Sequence, residues 1–234
     1  MDAVEQNLVN WQASLLKSIP IAGLLAKDPV AYKWKATFRC WMLREVTFWR
    51  VSDLLTQSYA LHQQGHSLGA RILLRSGFET LAVMIYLNQL IQKVVTNDID
   101  FWTFSEKTTV LLLGSRNGST DVKSLNIVTI LENCDKRYPG LMSLYAFLSE
   151  SAHPNYEGMS KGYSIIDHDE YETQFLNRWT ELHANEHLNS MQLCMETFHH
   201  EYDDVWPKRM NALELWLHDN DTELEAAKSS REAE

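Results

Sequence analysis

Residues that make tight turns are scarce here: 5 prolines and 9 glycines in 234 residues are too few for a protein of many short strands. Long stretches keep apolar residues three and four positions apart, and together these features predict an all-α fold. Cysteine is also sparse. Cys40, Cys134 and Cys194 are odd in number, far apart and without CxxC spacing, which excludes a disulfide framework and a zinc ribbon. The N-x-S/T matches at Asn117 and Asn220 then mean nothing for glycosylation. No apolar run is long. The longest, LAVMIYL at 81–87, falls far short of the roughly 20 residues that span a bilayer, and no basic stretch precedes an apolar one at the amino terminus. A soluble, cytoplasmic protein without a membrane partner is expected.

Positive charge is in short supply as well, with 21 Lys and Arg against 31 Asp and Glu, a net charge of −10. The deficit is uneven: residues 1–95 carry ten basic and six acidic groups, 96–195 seven and fourteen, and 196–234 four and eleven. Affinity for a phosphate backbone comes from Lys and Arg, so the chain should be a poor non-specific nucleic-acid binder and any polyanion site must be local. The best basic face holds Lys33, Lys35, Arg39, Arg44 and Arg50 and reads first as a solvated helix face. The aromatic stripe Trp34, Phe38, Trp41, Phe48 and Trp49 beside it reads as core.

What is abundant is helix. The pattern predicts about seven or eight helices forming a bundle: one over roughly 2–19, one opening at Asp28–Pro29 and running toward Gly65, and one from Ser67 to about Val94. Shorter ones follow at about 98–112, 122–137 and 140–152, then a loop at 153–169 and a long helix to Trp206, where Pro207 breaks it. A single domain over 1–206 is expected, followed at 207–234 by a carboxy-terminal helix and an acidic tail that frays from about Asp219.

In the helix beginning at Ser67, Arg71, Arg75 and Glu79 recur every four residues and form one polar ribbon on a helix otherwise apolar nearly all round. Such a helix is buried, and a buried charge must be paired or used. Arg75 and Glu79 can form a bracing i,i+4 pair, or the arginines can face a cleft that holds an anion while Glu79 orients a guanidinium.

The combination of ARILLRSGFETLAVMIYL at 70–87 with LSESAHPNYEG at 148–158 resembles the HEPN-like helical proteins of bacteria, several of them associated with abortive infection and toxin systems. Their Arg-x-x-x-Glu on a central helix matches Arg75 and Glu79, and their Ser-x-x-x-His at the end of another helix matches Ser149 and His153. The resemblance spans roughly residues 30–205. It implies a helical bundle, a homodimer, and metal-independent RNA cleavage by an arginine and a histidine at R-x(4–6)-H spacing.

RWTELH supplies that spacing through Arg178 and His183, although ten arginines and nine histidines make one such match expected by chance. His183 is shared with HANEH, an H-x-x-E-H match in which His183 and His187 stand at i,i+4 and Glu186 beside them could activate water on a zinc ion. The further ligand could come only from Glu201 or the His199–His200 pair, so no metal site and no cofactor are assigned. GMSKG at 158–162 matches a nucleophile elbow but lacks the strand before it, and is rejected.

The candidate catalytic residues are therefore Arg75, Glu79, His153, Arg178 and His183. Pro154 disfavours helical geometry in the residue before it, which puts His153 at a helix carboxy-terminus, where the helix dipole favours a protonated imidazole. Two functions follow. One is a HEPN-like ribonuclease or toxin, with phage defence as its setting, RNA as substrate and an antitoxin or defence protein as partner. The alternative is a non-catalytic helical binding or regulatory module of such a system.

Overall fold

A computed structural model of the chain describes residues 2–232. Among them are ten α-helices, two π-helical stretches and one β-hairpin, so the all-α expectation holds with a small sheet added. In order these are α1 (Ala3–Ser14), α2 (Ile21–Lys27), α3 (Pro29–Tyr32), α4 (Lys35–Gln63), α5 (Ser67–Val95), α6 (Phe101–Leu113), α7 (Ile127–Asp135) and α8 (Leu141–Ala152). A π-helical turn (Tyr156–Lys161) leads into β1 (Ser164–Asp167) and β2 (Glu172–Phe175), followed by α9 (Trp179–His199), a second π-helical stretch (His200–Val205) and α10 (Trp206–Glu232).

Local rules place many of these boundaries. Asp28 caps α3 by accepting from the Ala31 N–H at 2.9 Å, with Pro29 in the first turn. That helix is one turn only, because the chain breaks at Lys33–Trp34, where the Thr37 hydroxyl donates to the Ala31 carbonyl at 2.8 Å. Gly65 at φ 77° closes α4 with the left-handed conformation that glycine adopts without a Cβ penalty. α8 ends at Ala152, and His153 takes φ −99°, ψ 143°, the extended geometry demanded before Pro154.

Other boundaries differ from expectation. The stretch 153–169 is not a plain loop, since it holds the π-helical turn and β1. Its antiparallel partner β2 occupies the start of the expected long helix, with Ile166 opposite Thr173 and Ser164 opposite Phe175. Pro207 does not end the helical run. The irregularity falls ahead of it in the π-helical stretch, and proline sits in the first turn of α10, where its missing N–H costs nothing. α10 stays helical through Glu232, and Lys33 pairs with both Asp221 and Glu225 at 2.7 Å on the part expected to fray.

The chain divides into two compact units, each assembled from three separate stretches. One comprises the residues up to Leu15, Thr47–Val83 and Ile127–Phe198. Its core joins Trp11, Phe48 and Phe198, whose ring centroids lie 5.3–5.8 Å apart, to the fully buried Leu55, Leu74, Phe78 and Leu81. The other comprises Leu16–Val46, Met84–Asn126 and the chain from His199 onward. There Trp41 meets Trp206 edge-on at 4.5 Å and Trp34 meets Phe101 at 5.1 Å. The aromatic stripe on α4 and just ahead of it is thus mixed: Trp34 and Phe48 are buried, Phe38 and Trp41 half-buried and Trp49 exposed. Much of the basic face is committed, with Arg44 on Glu45 at 2.5 Å and Arg39 donating to Ser105 and Thr108.

Candidate functional site

The polar ribbon of α5 lies against α8, and the two arginines fare differently there. Arg75 donates to the Ser149 hydroxyl at 2.8 Å and the Tyr145 hydroxyl at 2.6 Å, and pairs with Glu79 at 3.2 Å. Tyr145 in turn donates to Glu79 at 3.0 Å, closing a neutralised network. Arg75, Glu79 and Ser149 are therefore brought together. His153 is not in that group: its side chain is exposed at the end of α8, and its carbonyl accepts from the Asn155 N–H at 2.9 Å.

Arg71, one turn earlier, is only 2% exposed. Its Nε donates to the Ser151 hydroxyl at 2.8 Å, an Nη donates to the Phe147 carbonyl at 3.4 Å, and the guanidinium lies 4.6 Å from the Phe147 ring centroid. Among the described residues no carboxylate pairs with it, and Glu186 acts only at longer range. Burial lowers its pKa to about 10, so the charge persists at neutral pH.

Arg71 lines a cavity of about 200 Å³ with Phe147 and Ser151 of α8, Lys161 of the π-helical turn, and Trp179 and His183 of α9. Glu150 and Glu157 complete the wall, Glu157 paired with Lys161 at 2.8 Å. His183 is 8% exposed and packs between Trp179, at 5.4 Å, and Phe147, at 5.8 Å. Burial first, then the charges of Arg71 and Lys161, push its pKa down to about 4, against a smaller opposing effect of Glu157. The imidazole is neutral at pH 7, and its buried Nδ1 has no partner among the described residues.

Four residues on, His187 is held by Ser58. The Ser58 hydroxyl donates to the Ala70 carbonyl at 2.8 Å, so toward His187 Nε2, at 3.1 Å, it is an acceptor, and Nε2 carries the proton. His187 stacks on His62 at 4.8 Å; burial, His62 and Arg71 drive its pKa down to about 3. The field of Arg71 thus disfavours a positive charge at both imidazoles and opposes a divalent cation between them. Glu186 is exposed, and among the described residues no group of three or more His, Cys, Asp or Glu could hold a metal ion.

The R-x(4)-H match is divided by the fold. His183 lines the cavity, whereas Arg178 points to the backbone, donating to the Ser164 carbonyl at 3.3 Å and pairing with Glu181 at 2.9 Å. Arg71 belongs to the ribbon whose arginines were expected to face a cleft but was not among the five candidate catalytic residues, and neither were Ser151, Lys161 and Trp179, which line the same cavity. Lys161 lies inside the rejected GMSKG, and nothing local marks the other two.

These histidines make stability depend on pH. Unfolded imidazoles take up protons near pH 6.5, whereas folded His183 and His187 wait until about 4 and about 3. Below pH 6.5 the unfolded state binds more protons, so stability is full above that value and is lost as pH falls toward the folded values. Thermal midpoints should drop between pH 7 and pH 4.5, and the drop should shrink in His187→Gln. A flat profile for the wild type would show that these imidazoles titrate normally.

Among the described residues no helix is long and apolar enough to cross a membrane. No family model matches the chain, and neither a curated protein nor a solved structure is significantly similar to it.

Proposed function

We propose that the chain is a HEPN-like helical ribonuclease that works without a metal, with Arg71 and His183 at its centre. One observation carries the reading: a buried guanidinium without a counter-ion shares a cavity with a neutral imidazole whose ring nitrogen is unpartnered. An uncompensated buried charge costs several kcal/mol in principle, and a ligand anion is the natural counter-ion. In this reading His183 accepts the proton of a ribose 2′-hydroxyl, the 2′-oxygen bonds to phosphorus, and Arg71 stabilises the charge on the non-bridging oxygens. The P–O5′ bond breaks, the 5′-oxygen takes a proton from water, and a 2′,3′-cyclic phosphate is left. Bound phosphate offsets the fields of Arg71 and Lys161, which raises the proton affinity of His183 toward the useful range.

A second reading, the non-catalytic binding module, is favoured by the pKa of about 4 itself, which makes the imidazole of the empty cavity a weak base. One assay separates the two. Purified protein should cleave RNA equally well with and without EDTA, and His183→Gln should lose about a hundredfold or more of that rate. A folded wild-type protein that cleaves no RNA leaves the binding module; chelator-sensitive cleavage moves the site to His183 and His187 as ligands. The exposed His153 gives a further discriminator: His153→Ala should retain activity within a few-fold, and its inactivation in a folded protein would return the centre to the end of α8. The resemblance also implies a homodimer, which sedimentation would register as twice the chain mass, and an antitoxin or defence protein as partner.

A further inference from the structure

We infer that the β-hairpin is a dimer interface: β2 pairs antiparallel with β2 of a second copy, the Gln174 residues opposite one another, to make one four-stranded sheet. This goes beyond the ribonuclease reading, which implies a homodimer without saying where the copies meet, and it does not rest on the Arg71 cavity. Only one edge of the hairpin is open. The Leu176 N–H donates to the Tyr163 carbonyl at 3.0 Å, and the register sets Ile165 opposite Gln174. Bonding alternates along an antiparallel pair, so Glu172 and Gln174 bond toward β1 while Thr173 and Phe175 turn their N–H and C=O groups outward. The outer edge of β1 is blocked at Ser164, whose carbonyl accepts from the Arg178 side chain at 3.3 Å. β2 is exposed along all four of its residues, and an open edge is a template for another strand.

The side chains fit a second copy. Phe175 is 84% exposed and shares a face of the hairpin with Ile166, 61% exposed, while Tyr171 at the tip is 96% exposed. Together these three offer about 500 Å² of apolar surface per copy, the larger part of the roughly 800 Å² per partner that a stable complex buries. In the two-fold register Thr173 of each copy stands opposite Phe175 of the other. That forms about four main-chain hydrogen bonds and lets the two Phe175 rings meet diagonally across the axis. Charge agrees with this arrangement. The tip is acidic, with Asp167, Asp169, Glu170 and Glu172, and antiparallel pairing sends the two tips to opposite ends. Glu172 then faces Leu176, and Glu170 comes level with Arg178 of the other copy, a residue paired on its own chain with Glu181. The new sheet ends on two β1 edges blocked by Arg178, so pairing closes at two copies instead of growing into a fibre.

Sedimentation of the full chain at about 10 μM should give twice the chain mass. Phe175→Glu sets two carboxylates across the axis, and Thr173→Pro removes an outward N–H without touching a bond to β1. Each should weaken the dimer about tenfold or more, and helical content should stay that of the wild type because both side chains are exposed. The register has its own check. An opposite pair without hydrogen bonds stands about 4.5 Å apart between Cα atoms, within disulfide reach, so Gln174→Cys should cross-link two copies on mild oxidation. Thr173→Cys, off the axis, should not, and the native Cys40, Cys134 and Cys194 are buried. A wild-type monomer at that concentration overturns the inference and leaves the β2 edge to a strand of another protein. A dimer that both Phe175→Glu and Thr173→Pro leave intact overturns it too, since its interface must lie elsewhere. A hairpin-dependent dimer that cleaves no RNA keeps the interface and removes the ribonuclease; an RNA-cleaving monomer does the reverse.

Discussion

Arg71→Met should lower RNA cleavage by about a hundred- to a thousandfold, the usual loss on removing a group that stabilises developing charge, and yet leave folding stability unchanged or raised. The two halves have one cause. Arg71 is a buried charge with no carboxylate paired to it among the described residues, so folding loses its hydration without gaining an ion pair. Replacing even a paired set of buried charges with apolar side chains of similar volume is often neutral or stabilising by about 1–4 kcal/mol, and a thioether packs well against the Phe147 ring. Against this stand the lost hydrogen bonds to Ser151 and to the Phe147 carbonyl, worth about 1 kcal/mol each. Arg75→Met should behave in the opposite way. It strips Glu79 and Tyr145 of their cation and should cost about 1–2 kcal/mol, with a smaller effect on cleavage. Urea midpoints and cleavage rates measured on both variants decide the matter. If Arg71→Met proves the more destabilising of the two, Arg71 is a structural brace and the cavity is not a site.

Gly158→Ala should be the most damaging single-methyl change in the unit that holds the cavity. A Cβ there would stand 1.9 Å from the His153 carbonyl oxygen and 3.2 Å from that of Glu150, both backbone atoms. Neither can swing aside as a side chain would, and the His153 carbonyl is already engaged by the Asn155 N–H. The π-helical turn Tyr156–Lys161 must shift as a body, which removes Glu157 and Lys161 from the cavity wall. Overpacking costs about 1–3 kcal/mol, and at about 2–4 °C per kcal/mol for a chain of this size the midpoint should fall by roughly 3–10 °C. RNA cleavage should weaken with it. Gly65→Ala is the control: nothing lies within 4 Å of its Cβ, and only the positive φ of 77° opposes it, so about 1 kcal/mol and no change in cleavage are expected. Equal midpoints for the two variants would mean that the turn tolerates displacement and does not hold the wall in place.

Much of the fold was legible because its causes are local. Pro154 stops α8 through the geometry of the residue before it, Asp28 and Pro29 open α3, and the apolar periodicity of 67–95 marks α5 almost to the residue. The hairpin was not legible. Its strands are four residues each, β2 is exposed throughout, and the connection between them reaches its left-handed conformation at Tyr171 rather than at a glycine or asparagine. The end of α10 misled for a related reason: an acidic, polar stretch reads as unfolded until Lys33, 188 residues away from Asp221, supplies the opposite charge.

By itself the sequence determined the helices, most of their ends, and the four-residue spacing that puts Arg71, Arg75 and Glu79 on one face, since each depends on neighbours within a few positions. Only the tertiary structure decided which arginine is paired with a carboxylate and which is buried in a cavity wall. On the helix the two are equivalent. They part because Tyr145 and Ser149 approach one turn of α5 and bind Arg75 to Glu79, while Phe147, Ser151, Trp179 and His183 enclose the turn before it. Burial likewise sets the proton affinity of His183, and burial is a property of which distant segments pack around a residue, not of the residues beside it in the chain.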